Sequence, residues 1–424
     1  DAMRVFADGC AANGIPLLFW RDVPTDAHGL GETAIASMPV IKQAFLGRPA
    51  NCETRDDFER ALYICRREIE KAGDASSELA EKIFYICSMS SRTIVYKGML
   101  LATQMRGFYT DLADASTETA IALVHSRYST NTMPAWERAH PNRYIIHNGE
   151  INTIKGNADK MLAREETMRS EHLKGDLDKV IPVVNTEGSD SAMLDNTLEF
   201  LVMSGMELPL AVMITIPEPW DNNGTMSQKK KDFYQYYATM MEPWDGPASI
   251  LFSDGDIMGA VLDRNGLRPS RYYITDDGNL ILSSEVGALP IDPAKIVTKE
   301  RLRPGKMLLV DTVQGRLIDD DELKEYYASK QPYGEWLDSN LVCLKDLKIP
   351  NMKVEEHSYK ERQKLQKAFG YTYEDVMTSI LPMAKNGTES IAAMGTDSPL
   401  AVLSKEPQPL FNYFKQLFAQ VTNP

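Results

Sequence analysis

The sequence predicts an α+β fold, in which helices pack on antiparallel sheets, followed by the beginning of a second α/β domain. Residues 248–284 alternate apolar and polar side chains and are interrupted by DGD, RNG and DDGN, which favour hairpin turns because Gly and Asn accept positive φ. Residues 55–73 carry apolar side chains at spacings of three and four, which is typical of an amphipathic helix. Helices and strands otherwise mix without a βαβ rhythm, and this pattern favours an α+β layered architecture.

The first half of the chain predicts the following elements. Asp1 enters a helix at once, with Gly9 and Gly14 as stops, and this start in mid-element leads us to expect that an upstream region has been lost. Strands are then predicted at residues 16–24, 83–90, 93–99, 121–124 and 144–146, a short apolar segment at 38–49, and a helix at 55–73.

The second half predicts two helices, at residues 157–172 and 186–205, the latter with Ser189 as its N-cap and Gly205 as its stop. A meander of four antiparallel strands is expected within residues 248–284, and a further strand at 306–312. A basic helical run at 360–368 and a final helix ending at Pro424 complete the pattern. Because nothing follows that helix, we expect the chain to end inside the second domain.

Size, charge and cysteine content limit the possible functions. The 424 residues allow more than one domain, and the formal net charge of −14 argues against nucleic acid or an anionic membrane as the main partner. No apolar run approaches the ~20 residues that span a bilayer, and no leader is recognisable, so a cytoplasmic location is predicted. The five cysteines show no CxxC pair, which favours reduced, mostly buried thiols over disulfides or a zinc site.

Residues 123–156 concentrate the polar motifs, HSRYST and HNGEINT, at the ends of two short apolar runs. The guanidinium of Arg127 offers two donors for a carboxylate, and Asn148 with Gly149 offers an amide and a backbone N–H that can converge on one oxygen. Asp190 can pair with an ammonium group. Together these groups suit an α-amino acid that carries a reacting carbonyl.

Each of these residues also has a plainer interpretation. Arg127 could form an ordinary salt bridge, Asn148-Gly149 a simple turn, and Asp190 a favourable first-turn acid of a helix. His125 and His147 flank the motifs without a metal-ligand spacing such as HExxH, so we expect them to serve as hydrogen-bonding groups. No motif supplies a convincing nucleophile.

Four motifs taken together, HSRYSTNT, HNGEINTIKGN, TEGSDSAMLDNTLE and DRNGLRPSRYYIT, resemble the class II, N-terminal-nucleophile glutamine amidotransferases. WRDVPTD, SSRTIVYKGML and YFKQLFAQVTNP narrow the resemblance to the glutamate synthase large-subunit family, over essentially the whole chain. The resemblance implies an Ntn-hydrolase four-layer αββα sandwich of two mainly antiparallel sheets. It places the amidotransferase domain at residues 1–340, and linker helices with the start of the glutamate synthase central domain at 341–424.

The resemblance also implies roles for individual residues. Arg127 would bind the α-carboxylate of glutamine with Thr130 nearby, Asp190 would hold the α-ammonium, and Asn148 and Gly149 would form the oxyanion hole. The family nucleophile is an N-terminal cysteine in a Cys-Gly opening, with its own α-amine as the base. No cysteine here stands in such an opening. We therefore expect the first strand and the catalytic cysteine to lie outside this chain, which alone would be inactive and would fold poorly.

The implied reaction is hydrolysis of L-glutamine to glutamate, with ammonia channelled to the amination of 2-oxoglutarate at a distant FMN site. FMN and an iron–sulfur cluster would belong to other domains, and a small electron-donating subunit or ferredoxin would supply electrons. No cofactor, metal, nucleic acid or membrane is expected for this chain itself. Two alternatives stay open, namely another class II amidotransferase with a sugar-phosphate acceptor domain, and a glutamine-binding module without catalysis.

Overall fold

The computed structural model describes residues 1–79, 82–128, 133–348, 356–391 and 400–414. The chain divides into two compact units, Asp1–Leu341 and Val342–Pro424. The α-helices of the first unit are α1 (Ala2–Ala12), α2 (Glu32–Ala36), α3 (Arg55–Ala75), α4 (Met105–Phe108), α5 (Ile154–Arg164), α6 (Leu177–Val180), α7 (Asp190–Met203), α8 (Leu208–Thr215), α9 (Gln228–Ala238), α10 (Asp320–Ser329) and α11 (Tyr333–Asn340). Those of the second unit are α12 (Tyr359–Ala368) and α13 (Leu381–Asn386).

All strand pairs among the described residues are antiparallel, which confirms the predicted α+β character. The strands are β1 (Leu17–Asp22), β2 (Lys42–Leu46), β3 (Ile145–Gly149), β4 (Ala248–Ser253), β5 (Ile257–Leu262), β6 (Arg271–Thr275), β7 (Leu280–Ser283), β8 (Ile296–Arg301), β9 (Met307–Asp311) and β10 (Arg316–Ile318). They form a five-stranded sheet in the order β10-β9-β5-β4-β3, a three-stranded sheet β7-β6-β8 and a two-stranded sheet β1-β2.

The meander predicted within residues 248–284 is wrong in one respect, because its four strands belong to two sheets. β4 and β5 pair in the five-stranded sheet, and β6 and β7 pair in the three-stranded one. The cause lies between them, where the buried Asp263 carboxylate accepts hydrogen bonds from the N–H groups of Ala248, Asn265 and Gly266. This tight turn leads the chain out of the first sheet before β6 begins.

The main core lies where α7, α8 and α9 pack against the five-stranded sheet. Every residue of α8 is buried, and α7 buries Leu194 and Leu198 completely. Ile145 of β3 and Phe252 of β4, which are register partners, contribute to the same core. Burial of a large aliphatic or aromatic side chain stabilises a fold by about 1.5–3 kcal/mol, so this core fixes β3 against the helices firmly.

Helix predictions based on periodicity and capping are largely confirmed. α3 begins at a capping box formed by Thr54 and Asp57, and the predicted N-cap Ser189 accepts from Ala192 N at the start of α7. The strands predicted at 16–24, 144–146 and 306–312 appear as β1, β3 and β9, the segment 38–49 contains β2, and the run 360–368 falls in α12. The helix predicted at 157–172 corresponds to α5, which begins earlier, at Ile154, and ends at Arg164, where a 3-10 turn at Glu165–Thr167 follows.

Gly9, predicted as a helix stop, and Gly73, the last residue of the helix predicted at 55–73, lie inside helices instead. A Cβ on Gly9 of α1 would stand 2.3 Å from Ile69 Cγ1, and one on Gly73 of α3 would stand 2.7 Å from Phe84 Cδ1. These glycines are therefore explained by close packing against neighbouring side chains, and not by helix termination.

The strands predicted at residues 83–90, 93–99 and 121–124 are wrong. These segments have no ladder partner in the described part of the chain, and Val124 is 75% exposed rather than buried. A strand depends on pairing, which the sequence of one segment does not encode. Side chains hold two of these segments instead, because Glu59 accepts from Ser90 Oγ at 2.7 Å and Lys97 Nζ donates to Glu137 O at 2.7 Å.

Three of the five cysteines, Cys10, Cys52 and Cys65, are buried, whereas Cys87 and Cys343 are half-buried. At the end of the chain, Leu410–Phe414 forms a 3-10 turn, and the rest of the predicted final helix lies outside the described residues. Within the residues that the structure describes, no helix combines the length and apolar character needed to cross a membrane.

Candidate functional site

The carboxyl end of β3 is shaped by the very close approach of two chain segments. A Cβ on Gly149, which has a φ of +155°, would stand 2.0 Å from Pro247 O, and a Cβ on Gly246 would stand 1.9 Å from Glu150 O. After Gly149 the chain remains close to the segment before β4, because Asn152 N donates a hydrogen bond to Asp245 O at 2.7 Å. The HNG sequence thus requires glycine at its third position, and Asn148 is held at a fixed place at the end of the sheet.

The register of β3 determines where its N–H groups point. Ser253 N donates to Tyr144 O and Glu150 N donates to Pro247 O, so the even-numbered residues of β3 face β4. In an antiparallel pair the alternate residues point away from the partner strand. β3 is the last strand of its sheet among the described residues, and the N–H groups of His147 and Gly149 therefore point to an open edge.

Asp190 joins α7 to the segment that follows β3. It is the first residue of the helix, where the positive end of the helix dipole favours a carboxylate. Its Oδ2 accepts from Ile151 N at 3.0 Å, and its Oδ1 accepts from Ser191 N at 2.7 Å. The structure thus brings the HNGEINT and TEGSDSAMLDNTLE motifs into contact.

Two imidazole rings connect the HSRYST segment to the start of α7. A ring nitrogen of His125 hydrogen-bonds Arg127 O at 2.6 Å, and the rings of His125 and His140 lie 4.3 Å apart between centroids. His140 Nε2 in turn lies 3.1 Å from Ser191 Oγ. The motifs that sequence analysis selected therefore converge on the first turn of α7.

The three imidazoles are kept neutral. Burial is the largest cause that lowers the pKa of His140 to about 3, and the neighbouring His125 and His147 lower it further. Burial also lowers the pKa of His125 and His147. The hydrogen-bonding role predicted for His125 is confirmed, whereas Nε2 of the buried His147 has no hydrogen-bond partner among the described residues. In those same parts of the chain, no group of three or more His, Cys, Asp or Glu residues is arranged to hold a metal ion.

Two predicted binding groups are not engaged by the parts of the protein that the structure covers. Arg127 is exposed, and its guanidinium has no hydrogen bond or ion pair there, nor has the Asn148 side-chain amide. Thr130 lies outside the described residues. The Arg127 guanidinium and the Asn148 amide are therefore both available to a ligand.

Sequence analysis missed residues that support this site. Arg268 of the DRNGLRP motif donates from Nε to Pro247 O at 3.3 Å, and its charge contributes to the lowered pKa of His147. Lys97, only 4% exposed, donates to Glu137 O and Tyr85 OH, and its charge contributes to the lowered pKa of His140. A lysine within the otherwise apolar run TIVYKGML was the available signal for Lys97.

A cavity of about 610 Å3 opens at the opposite end of β3, lined by Tyr144, Glu199 and Tyr63 among others. A pocket of that size is the usual first choice for a ligand site. None of the predicted site residues lines it. The convergence of unengaged polar groups at the other end of β3 gives the stronger chemical argument, and we place the candidate site there.

Comparison with known proteins identifies the family. The family model described as "Glutamine amidotransferases class-II" matches residues 1–336, and that of the "Glutamate synthase central domain" matches residues 364–424. A solved structure, a glutamine aminotransferase class-II domain protein from Silicibacter pomeroyi, aligns at 16% identity with 45% of this chain and 72% of its own. Its TM-score of 0.24 is too low to support an argument.

Curated relatives agree with the narrower resemblance. The chain is 49% identical to the glutamate synthase [NADPH] large chain of Bacillus subtilis, over 97% of this chain and 27% of that protein. It is 45% identical to the chloroplastic ferredoxin-dependent glutamate synthase of Spinacia oleracea, over 100% of this chain and 26% of that protein. The resemblance found in the sequence is thus confirmed, and the chain spans about a quarter of the length of these relatives.

Proposed function

This chain belongs to the class-II glutamine amidotransferase family, and from that premise we propose that it is the glutamine-hydrolysing part of a glutamate synthase. The observation that supports the proposal best is the hydrogen bond from Ile151 N to Asp190 Oδ2, because it ties the carboxylate that we assign to the substrate ammonium to the segment that follows Asn148 and Gly149. We also propose that the antiparallel sheets form part of the four-layer αββα sandwich.

In this proposal each group of the site has one task. The guanidinium of Arg127, with Thr130, holds the α-carboxylate of L-glutamine, and Asp190 holds the α-ammonium. The side-chain amide of Asn148 and the outward N–H of Gly149 receive the carboxamide oxygen as it becomes negative. Because these donors are already fixed at the end of β3, they stabilise the transition state without reorganising.

The proposed reaction proceeds through a thioester. A cysteine thiolate attacks the side-chain carboxamide carbon, and the oxyanion forms against Asn148 and Gly149. The C–N bond then breaks with transfer of a proton to nitrogen, which releases ammonia, and water hydrolyses the thioester to glutamate. We propose that the thiol is the N-terminal cysteine characteristic of the family. Cys10, Cys52 and Cys65 belong to a separate core beside α1 and α3.

In a full-length protein, the ammonia would pass to an FMN site where 2-oxoglutarate is aminated, with electrons from a small subunit or ferredoxin. Within the described residues, no cluster of cysteines fits an iron–sulfur centre. We propose that FMN and an iron–sulfur cluster belong to other domains, that the protein is cytoplasmic, and that this chain alone binds glutamine without hydrolysing it. The match of residues 364–424 favours this function over a sugar-phosphate amidotransferase.

Asn148→Ala and Arg127→Ala test the assignment in the full-length protein. Asn148→Ala removes one oxyanion donor and should lower kcat by about 10²–10³ with little change in KM. Arg127→Ala should mainly raise KM, because its contact with the α-carboxylate exists before and during the reaction. Glutamate and ammonia release report both effects, and the exposed Asn222→Ala and Arg169→Ala serve as controls. Full activity in both site variants would show that the site has been assigned wrongly.

A second candidate function, glutamine binding without catalysis, is favoured by the burial of Cys10, Cys52 and Cys65 away from the site. Ammonia release separates the two functions. A full-length protein that binds glutamine with an Arg127-dependent affinity but releases no ammonia would support the binding module.

A further inference from the structure

We propose that Asp195 is a positioning residue for the oxyanion-binding edge of β3, and that α7 holds this strand at both ends through Asp195 and Asp190. The inference rests on the proposed function, because it concerns the donors assigned to the oxyanion. It assigns to Asp195 a task that is separate from substrate binding.

The carboxylate of Asp195 is hydrogen-bonded to the beginning of β3. Its carboxylate is 1% exposed and accepts three backbone hydrogen bonds, from Arg143 N at 3.0 Å, Tyr144 N at 2.8 Å and Ile145 N at 3.1 Å. Burial and the neighbouring Glu199 raise the pKa of Asp195 to about 6, so it is ionised at neutral pH. An ionised carboxylate with three N–H donors is satisfied, whereas its removal would leave buried donors without partners.

The same helix holds the other end of the strand. Asp190 Oδ2 accepts from Ile151 N, so two carboxylates of α7 take the N–H groups of Ile145 and Ile151. Ile145 and Gly149 have the same parity in β3, so their N–H groups lie on its open edge, and Ile151 follows two residues after the strand. Between the two held positions, the N–H groups of His147 and Gly149 have no hydrogen-bond partner in the described parts of the chain and are available to a ligand.

This arrangement makes the position of Gly149 N–H depend on Asp195. If the beginning of β3 loses these three hydrogen bonds, the strand must shift or twist against α7 until other partners, including water, are found. Asn148 and Gly149 follow within four residues on the same paired strand, so the shift is transmitted to them. A misplacement of about 1 Å at reacting groups can lower a rate about 10²-fold.

Asp195→Asn tests the inference in the full-length protein, with Thr197→Val as the matched control. The amide replaces one acceptor oxygen by an N–H donor, so at least one hydrogen bond to the start of β3 is lost. Thr197 is also fully buried on α7, but among the described residues its hydroxyl bonds only Met193 O of its own helix, at 3.1 Å. Both variants disturb a buried polar group, and only Asp195→Asn disturbs β3.

We expect Asp195→Asn to lower kcat for glutamine hydrolysis by about 10–100-fold, with KM changed less than about threefold, because a displaced oxyanion donor weakens the transition state and not substrate binding. Thr197→Val should leave kcat unchanged at a temperature where both variants are folded. Amide hydrogen exchange should rise at residues 143–149 in Asp195→Asn alone. If Asp195→Asn does not fold, Asp195→Glu keeps the charge, moves the carboxylate, and should show the same selective loss of kcat.

Equal kcat values for the Asp195 and Thr197 variants would overturn the inference. So would unchanged hydrogen exchange across residues 143–149. Failure of the proposed function gives a different result, because Asn148→Ala would then retain activity. In that case the exchange measurement still decides whether Asp195 holds β3.

Discussion

Replacement of Gly149 by alanine would test the close approach at the end of β3. The added Cβ would stand 2.0 Å from Pro247 O and 2.7 Å from Ala248 Cα. Both atoms belong to the backbone of the partner segment, so neither can rotate aside as a flexible side chain would. The φ of +155° at Gly149 is also one that residues other than glycine rarely adopt.

Two free-energy costs add in this variant. The unfavourable backbone conformation costs about 1–3 kcal/mol, and overpacking costs about 1–3 kcal/mol more. Gly175→Ala separates them, because Gly175 has a φ of +79° and no atom within 4 Å of its Cβ position. Gly175→Ala should lower the free energy of unfolding by only about 1–2 kcal/mol, which is the cost of the left-handed backbone conformation. We expect Gly149→Ala to be less stable than Gly175→Ala by about 1–3 kcal/mol.

Urea unfolding of the full-length protein, followed by circular dichroism, measures the difference through the shift in the midpoint of the transition. Glycine-to-alanine exchange adds the same methyl group at both positions, so denatured-state effects largely cancel. If Gly149→Ala unfolds at the same urea concentration as Gly175→Ala, the close approach of β3 to Pro247 does not constrain the residue, and the structural reason for glycine in the HNG motif is wrong.

Two further predictions concern α3. Although burial opposes the effect, the guanidinium groups of Arg66, Arg143 and Arg67 lower the pKa of Glu70 from 4.5 to about 2, so its stabilisation is present above pH 4.5 and is lost as the pH falls towards 2. Glu70→Gln should therefore lower the free energy of unfolding by roughly 3 kcal/mol at pH 7, and its melting temperature should fall less steeply as the pH is lowered below 4.5. An equally steep fall in the variant would contradict this. Thr54→Ala removes the N-cap of α3 and should lower stability by about 1 kcal/mol in the same assay, whereas Thr54→Ser, which keeps the cap, should not.

The sequence was most informative where local chemistry decides the structure. The capping box and periodic apolar residues of α3, and the N-cap Ser189 of α7, depend on neighbours within one or two helical turns, and both helices are found where they were predicted. β4, β5 and β9 coincide with apolar runs that are bounded by turn residues. Each of these signals is contained within a short stretch of chain.

Features that depend on distant partners could not be predicted. Residues 83–99 have strand-like composition, but a strand also requires a neighbour, and none pairs with them in the described structure. The sequence around Asp263 is typical of a hairpin turn, and only the structure shows that this carboxylate accepts a hydrogen bond from Ala248 N, fifteen positions away. The site shows the same division, because the sequence selected Asp190 by its chemistry while its contact with Ile151 required the fold.

The turn at residues 245–247 has a consequence for how sequences of this kind can change length. Asp245 O and Pro247 O accept hydrogen bonds from three residues beyond β3, and the guanidinium of Arg268 also binds Pro247 O. An insertion here would break several of these bonds together, whereas the solvent-facing hairpin at residues 276–278 could lengthen with little loss. Natural variation in loop length should therefore gather at such hairpins and leave the 245–247 turn constant.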